Sequence, residues 1–229
     1  MGGEHAERRR RHLYGRRKGP KLSVHQAALF DTLLPALVLD IRAGADPRSY
    51  FENKVEDVWL EIGFGAGEHL LWQAEHHPDV GLIGAEPYEA GVAKLLSRIS
   101  ASSRVGNVRI HMDDARDIIA ALPDASLGRV FILFPDPWPK TRHHKRRFIQ
   151  SEMLDTLARA MKPGAELRYA SDDAPYLEWT LERLMAHPAF AWTATRATDW
   201  TSRPADWPPT RYEAKQLHGV PAFLAFRRT

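Results

Sequence analysis

The stretch Phe134–Arg147, FPDPWPKTRHHKRR, carries the residue types best suited to chemistry. One carboxylate, Asp136, and one large ring, Trp138, stand among Pro135, Pro137 and Pro139. Proline lacks an N–H and fixes φ, so the segment must leave its sheet as a stiff loop. Lys140, Arg142, Lys145, Arg146 and Arg147 follow, with His143 and His144 among them. An acid and an aromatic backed by dense positive charge suit a flat base attached to a polyanion. A proline turn ahead of a solvated basic helix face is the competing reading. The histidines have no metal-ligand company, so no metal site is expected.

A second group is Glu61, Gly63, Gly65 and Gly67, followed by Glu86 19 residues past Gly67 and then by Asp113 and Asp114. A glycine turn after a strand, with an acid at the next strand's tip, holds an adenine nucleoside; the acid accepts hydrogen bonds from the ribose. That role falls to Glu86. A dinucleotide fingerprint would need its third glycine at position 68, where Glu68 would repel a pyrophosphate. The pattern instead suits a nucleoside without phosphates whose far end is cationic, such as S-adenosylmethionine, with Glu61 near that end. Asp114 can reach the adenine edge, with Asp113 the weaker competitor. Asp114 as a helix cap and Glu61 as a surface acid are the alternatives.

Positioning these groups requires alternating strands and helices. Val58–Ile62, Asp79–Gly84, Asn107–Met112, Val130–Leu133, Glu166–Ala170, Phe190–Ala197 and Ala222–Arg227 read as seven strands. Ser23 caps a helix over Val24–Asp40 that Pro35 should kink. Helices follow each of the first five strands, including a long one from about His144 to Met161 that Pro163-Gly164 terminates, and one over Pro175–Ala186 capped by Ser171 or Asp172. Arg48–Asp57 leads into the first strand, and Trp200–Thr210 is a loop of tryptophans and prolines. Such alternation gives an α/β fold, a mainly parallel sheet with helices on both faces and ligands outside the carboxyl ends of its strands.

The 229 residues suit a basic flexible arm over 1–21 and a single domain over 22–229. The absence of cysteine excludes disulfides and thiolate chemistry and is compatible with a reducing cytosol. The N-terminus is basic with no apolar run behind it, so neither a signal peptide nor a membrane span is expected. Net charge is only +3, so the electrostatics lie in two basic zones, the arm and residues 140–147.

Several blocks in order closely resemble the bacterial tRNA (guanine-N7-)-methyltransferase family: EIGFGAGEHL (61–70), GAEPYEAGV (84–92), NVRIHMDDA (107–115), FPDPWPKTRHHKRR (134–147), ASDDAPY (170–176) and TRYE (210–213). The entry YGRRKGPKLSVHQ (14–26) extends the resemblance over nearly the whole chain. It implies a Rossmann-like class I methyltransferase fold with a C-terminal antiparallel hairpin, S-adenosylmethionine as donor, and guanine 46 of the tRNA variable loop as target. It also implies cofactor contacts from Glu61, Glu86, Asp114 and Asp136, and substrate contacts from Lys140, Asp172, Thr210, Arg211, Tyr212 and Glu213. The family's T-K-F-E is Thr210-Arg211-Tyr212-Glu213 here, its T-D is Ser171-Asp172, and the segment to His218-Gly219-Val220 is shortened, which bears on the far substrate wall.

Under this reading Asp136 is the catalytic carboxylate, with Asp172 second. Lys140 and Arg142–Arg147 grip phosphates, and Trp138 either stacks on the base or packs beneath its loop. A cytoplasmic monomer or homodimer without an obligate protein partner is expected. Three rivals differ in class. An exocyclic-amine methyltransferase is suggested by Asp136-Pro137-Trp138 but lacks the second proline, a nicotinamide oxidoreductase is disfavoured by Glu68, and a silent RNA-binding protein would transfer no methyl.

Overall fold

The computed structural model describes residues 15, 17–102, 105–215 and 218–229, with the side chain of residue 215 left aside. The first basic stretch of the arm, residues 1–14 and Arg16, lies outside them.

Among the described residues, seven strands form one sheet: β1 (Asp57–Ile62), β2 (Val80–Ala85), β3 (Val108–His111), β4 (Leu127–Leu133), β5 (Met161–Ser171), β6 (Phe190–Trp192) and β7 (Ala222–Arg228). Their spatial order is β3-β2-β1-β4-β5-β7-β6, parallel except for β7, which runs antiparallel to both β5 and β6. Successive side chains of a strand point to opposite faces. Val58, Leu60, Val130, Ile132, Leu167 and Tyr169 therefore enter one core, covered by α5 (Ala115–Ala121), α6 (Ser151–Ala160) and α7 (Ala174–Ala186). Trp59, Leu82, Phe131 and Phe223 enter the other, under α3 (Glu68–His76), α4 (Glu89–Ala101), α1 (Val24–Thr32) and Trp207. Full burial of each such side chain contributes about 1.5–3 kcal/mol. Glu61 continues the Trp59 face, flanked by Gly84 and Phe131, which is why an acid ends up inside.

The reversal from β3 back across β1 to β4 places the carboxyl ends of β1, β2 and β4 around one crevice. Several expected boundaries shift. The helix expected over Val24–Asp40 breaks at Leu33 into α1, capped by Ser23, and α2 (Leu34–Leu37), with Pro35 in the first turn of the second piece. Residues Pro47–Tyr50 form a short 3-10 turn before β1.

The helix expected from His144 begins only at Ser151; Thr141–Arg146 is a separate 3-10 turn. Arg147 turns its chain extended because its side chain is drawn inward, and the amides of Phe148 and Ile149 donate to the Tyr176 hydroxyl instead of to helix carbonyls. That helix ends at Ala160, and Pro163-Gly164 lies inside β5, where the register against β4 shifts and Gly164 is left-handed (φ 82°). The cap of α7 is Asp173, accepting from the Tyr176 amide, not Ser171 or Asp172. β6 stops at Trp192, and a helical turn, α8 (Thr198–Thr201), opens the tryptophan–proline loop. Arg17, in the described end of the arm, accepts from the Glu89 amide and pairs with Asp113 at 3.2 Å.

Candidate active site

Gly63, Gly65 and Gly67 all adopt left-handed φ (72°, 56° and 72°), the region in which a side chain is strained. The turn they make is clasped from β2. Glu86 accepts from the Gly65 amide at 2.8 Å and from the Tyr88 amide at 2.9 Å. Gly91, in the first turn of α4, approaches so closely that a β-carbon there would lie 2.4 Å from the Gly65 carbonyl oxygen. Glu86 is buried, and that burial raises its carboxyl above the usual range despite the two amide donors.

Asp114 caps α5, accepting from the Arg116 amide at 3.0 Å, and its carboxylate also meets the Arg116 guanidinium at 3.1 Å. The cap and the strand-tip acid are thus one residue. Asp113 is more exposed and occupied by Arg17, which leaves Asp114 the deeper of the two.

The proline loop leaves β4 through Phe134, whose amide still donates to the Ala170 carbonyl of β5. Phe134 and Trp138 both hold positive φ (50° and 48°), unusual for bulky residues and confined to the two ends of the Asp136 turn. Arg147 supports it from below. Its side chain is fully buried, donates from Nε to the Pro137 carbonyl at 2.8 Å, and lies over the rings of Tyr176 and Trp179 at 4.8 and 4.9 Å. Arg147 is therefore not a phosphate grip; it is the anchor of the loop. Arg146 lies over Trp138 at 4.9 Å. Asp136 is exposed by its surface area, and the loop around it still desolvates the carboxyl enough to raise it above the usual range.

Lys140, Arg142 and Lys145 point outward, and among the described residues no carboxylate pairs with them. The C-terminal block lies across the glycine turn. Thr210 accepts from the Glu213 amide at 3.2 Å at the start of α9 (Arg211–Lys215), and the Arg211 amide donates to Glu68. Tyr212 lies beside Gly65, half-exposed. Glu213 is held by Arg203 at 3.1 Å, and Asp172 accepts from the His218 amide at 3.0 Å.

The two halves meet. One trench of about 620 Å³ is lined by Gly63, Gly65 and Glu86 on one side and by Pro135, Asp136 and Trp138 on the other, with Tyr212 above. A smaller cavity behind the turn is lined by Glu61, Glu68, Lys94 and Arg211. Glu61 is no surface acid. It is 2% exposed and bonded to His69 Nδ1 at 2.7 Å, a partner that the sequence reading missed. The signal for it was a histidine on the buried stripe of α3 together with Leu70, Gln73 and Ala74.

A left-handed glycine turn, an acid at each of two neighbouring strand tips and an acidic loop on the next strand, in this strand order, define a Rossmann-like S-adenosylmethionine-dependent methyltransferase. A family profile described as a putative methyltransferase matches residues 55–221. The tRNA (guanine-N(7)-)-methyltransferase of Rhodospirillum rubrum is 54% identical over 224 residues, covering 94% of this chain and 87% of its own. That of Paramagnetospirillum magneticum is 48% identical, covering 99% and 98%. The chain belongs to the tRNA (guanine-N(7)-)-methyltransferase family. Solved structures share the fold at low identity. The 16S rRNA methyltransferase KamB matches with a TM-score of 0.55 at 16% identity, covering 84% of this chain and 98% of that one. A variant 16S rRNA (adenine(1408)-N(1))-methyltransferase of Catenulisporales acidiphilia, solved with cosubstrate SAM, gives 0.54 at 17%, covering 77% and 87%.

The donor set fits S-adenosylmethionine. The Glu86 carboxylate faces the trench with one amide on each oxygen, and the pocket behind the turn is lined by the acids Glu61 and Glu68 beside Lys94 and Arg211. Among the described residues no group of three or more His, Cys, Asp or Glu could hold a metal, and no helix is long and apolar enough to cross a membrane.

Proposed function

We propose that the chain methylates N7 of guanine in tRNA, at position 46 of the variable loop, in the cytoplasm. The observation that carries this is the single trench shared by the glycine turn and Asp136. Gly63, Gly65, Gly67, Glu61, Glu86 and Asp114 would hold S-adenosylmethionine, which when bound supplies an electron-poor methyl group on a sulfonium. Guanine N7 carries an in-plane lone pair and no proton, so the chain need provide no general base. What must be stabilised is the positive charge that spreads over the purine toward N1–H and the exocyclic amine. Asp136, fixed by the prolines and by Arg147, faces that edge, orients the base and offsets the developing charge. Asp172 on the neighbouring strand is the second acid available.

Lys140 and Arg142 grip phosphates, and Thr210, Arg211, Tyr212 and Glu213 take the substrate side; Tyr212, which lines the shared trench, supports this for the block. Unmodified tRNA transcripts test the reading. A transcript with guanine at position 46 should accept one methyl from labelled donor, and one with adenine there should accept none. Equal labelling of both would reject the position.

A further inference from the structure

Glu61 is buried beside a pocket that Lys94 and Arg211 also line, yet among the described residues the group within ion-pair distance of it is an imidazole. Whether that imidazole cancels the carboxylate's charge or merely orients it is decided one turn further along α3. Gln73 Nε2 lies 2.9 Å from the Asp206 carbonyl oxygen, which can only accept, so the amide nitrogen and not its oxygen faces that way. The same nitrogen lies 3.1 Å from His69 Nε2. With one hydrogen on Asp206, the second points at Nε2, which must present its lone pair. The arrangement that satisfies both Nε2 contacts places the ring proton on Nδ1, toward Glu61.

The remaining Gln73 oxygen is buried with no hydrogen-bond partner among the described residues, so this amide orientation is imposed from outside. Edge contacts from Phe131 at 4.6 Å and Trp207 at 5.7 Å fix the ring, and Arg168 holds the Asp206 carboxylate at 2.6 Å.

We propose that His69 is a positioning residue, held as the neutral Nδ1–H tautomer by Gln73 and the Asp206 carbonyl, which keeps Glu61 an oriented, unneutralised carboxylate for the cationic end of the methyl donor. The chain of bonds also ties the donor's pocket to the loop that precedes Thr210. The role rests on the methyltransferase reading above; the tautomer does not.

Two measurements test it. In the full-length enzyme labelled with nitrogen-15 histidine, the His69 signal, assigned by its loss in His69→Phe, should show a protonated Nδ1 and a bare Nε2 without ligand. An imidazolium or an Nε2–H pattern overturns the proposal. By calorimetry, His69→Phe keeps the ring packing but loses both nitrogens and should weaken S-adenosylmethionine binding by about tenfold or more, leaving the KM for tRNA within about twofold. His69→Asn, which restores a donor at the Nδ1 position, should recover most of the loss. Should His69→Phe fail to fold, Gln73→Glu serves: a carboxylate at Nε2 favours the imidazolium and should weaken donor binding comparably. Unchanged affinity in a folded variant overturns the proposal. A wild-type enzyme that binds no S-adenosylmethionine would instead sink the methyltransferase reading, whatever the nitrogen spectrum shows.

Discussion

Replacing Gly91 by alanine would place a methyl carbon 2.4 Å from the Gly65 carbonyl oxygen, where ordinary contact begins near 3.4 Å. The obstacle is backbone, so the glycine turn or α4 must retreat by about 1 Å, and no rotamer change can absorb it. On stability the change is small. Alanine gains about 1 kcal/mol of helix propensity over glycine, and overpacking costs about 1–3 kcal/mol. The net loss of about 0–2 kcal/mol lowers the melting temperature by no more than about 8 °C, and the variant stays folded during the assay. On function the change is large. The 2.8 Å bond from the Gly65 amide to Glu86 does not survive such a shift, and a misplacement of about 1 Å in a site of this kind costs about 10²-fold. Methyl transfer from labelled S-adenosylmethionine to unmodified tRNA should therefore show kcat/KM for the donor falling about 10²-fold, beside a thermal melt close to wild type. A value within about threefold of wild type would refute the claim that this contact shapes the donor site.

Other consequences are equally direct. Asp136→Asn should keep donor binding and lose about 10²–10³ in turnover. Because desolvation raises the Asp136 carboxyl, the wild-type rate should rise with pH along a limb displaced above the ordinary aspartate range. The same raised value means that the folded state holds the proton longer than the unfolded chain. Asp136 therefore costs stability progressively as pH climbs through that window, and Asp136→Asn should melt higher than wild type at neutral pH. Arg147→Met should lose about 2 kcal/mol, a fall of about 4–8 °C in melting temperature, with turnover reduced because the Pro137 carbonyl is released; a stable variant of normal turnover would refute the anchor. Lys140→Glu and Arg142→Glu should each flatten the salt dependence of tRNA binding by about 0.7–0.9 in slope, measured by filter binding, without altering the melt.

The strand-tip acids were legible because each stands at or just past the end of a continuous apolar run, and a doubly wound sheet puts those ends on one side. Of these, Glu86 and Asp136 line the shared trench, Glu61 lines the cavity behind the turn, and Asp114 lines a neighbouring cavity that Asp136 also borders. Arg147 was not legible. It closes a run of cations whose other members are surface residues, and what draws it inward is Tyr176 and Trp179, about thirty residues away in sequence. The helix start moved with it, since the Phe148 and Ile149 amides are taken by the Tyr176 hydroxyl instead of by helix carbonyls. Ser171, Asp172 and Asp173 are three successive residues able to cap α7, and since β5 runs through Ser171 it is the third that caps. Gln73 was invisible for a different reason: its significance depends on a backbone carbonyl 133 residues downstream.

The most direct test of the account is the identity of the methylated base. Unmodified tRNA treated with the enzyme and donor, digested with nuclease and resolved by mass spectrometry, should yield 7-methylguanosine from the variable loop. A methyl found on an exocyclic amine would mean that Asp136 faces a different edge of the base, and would contradict the account.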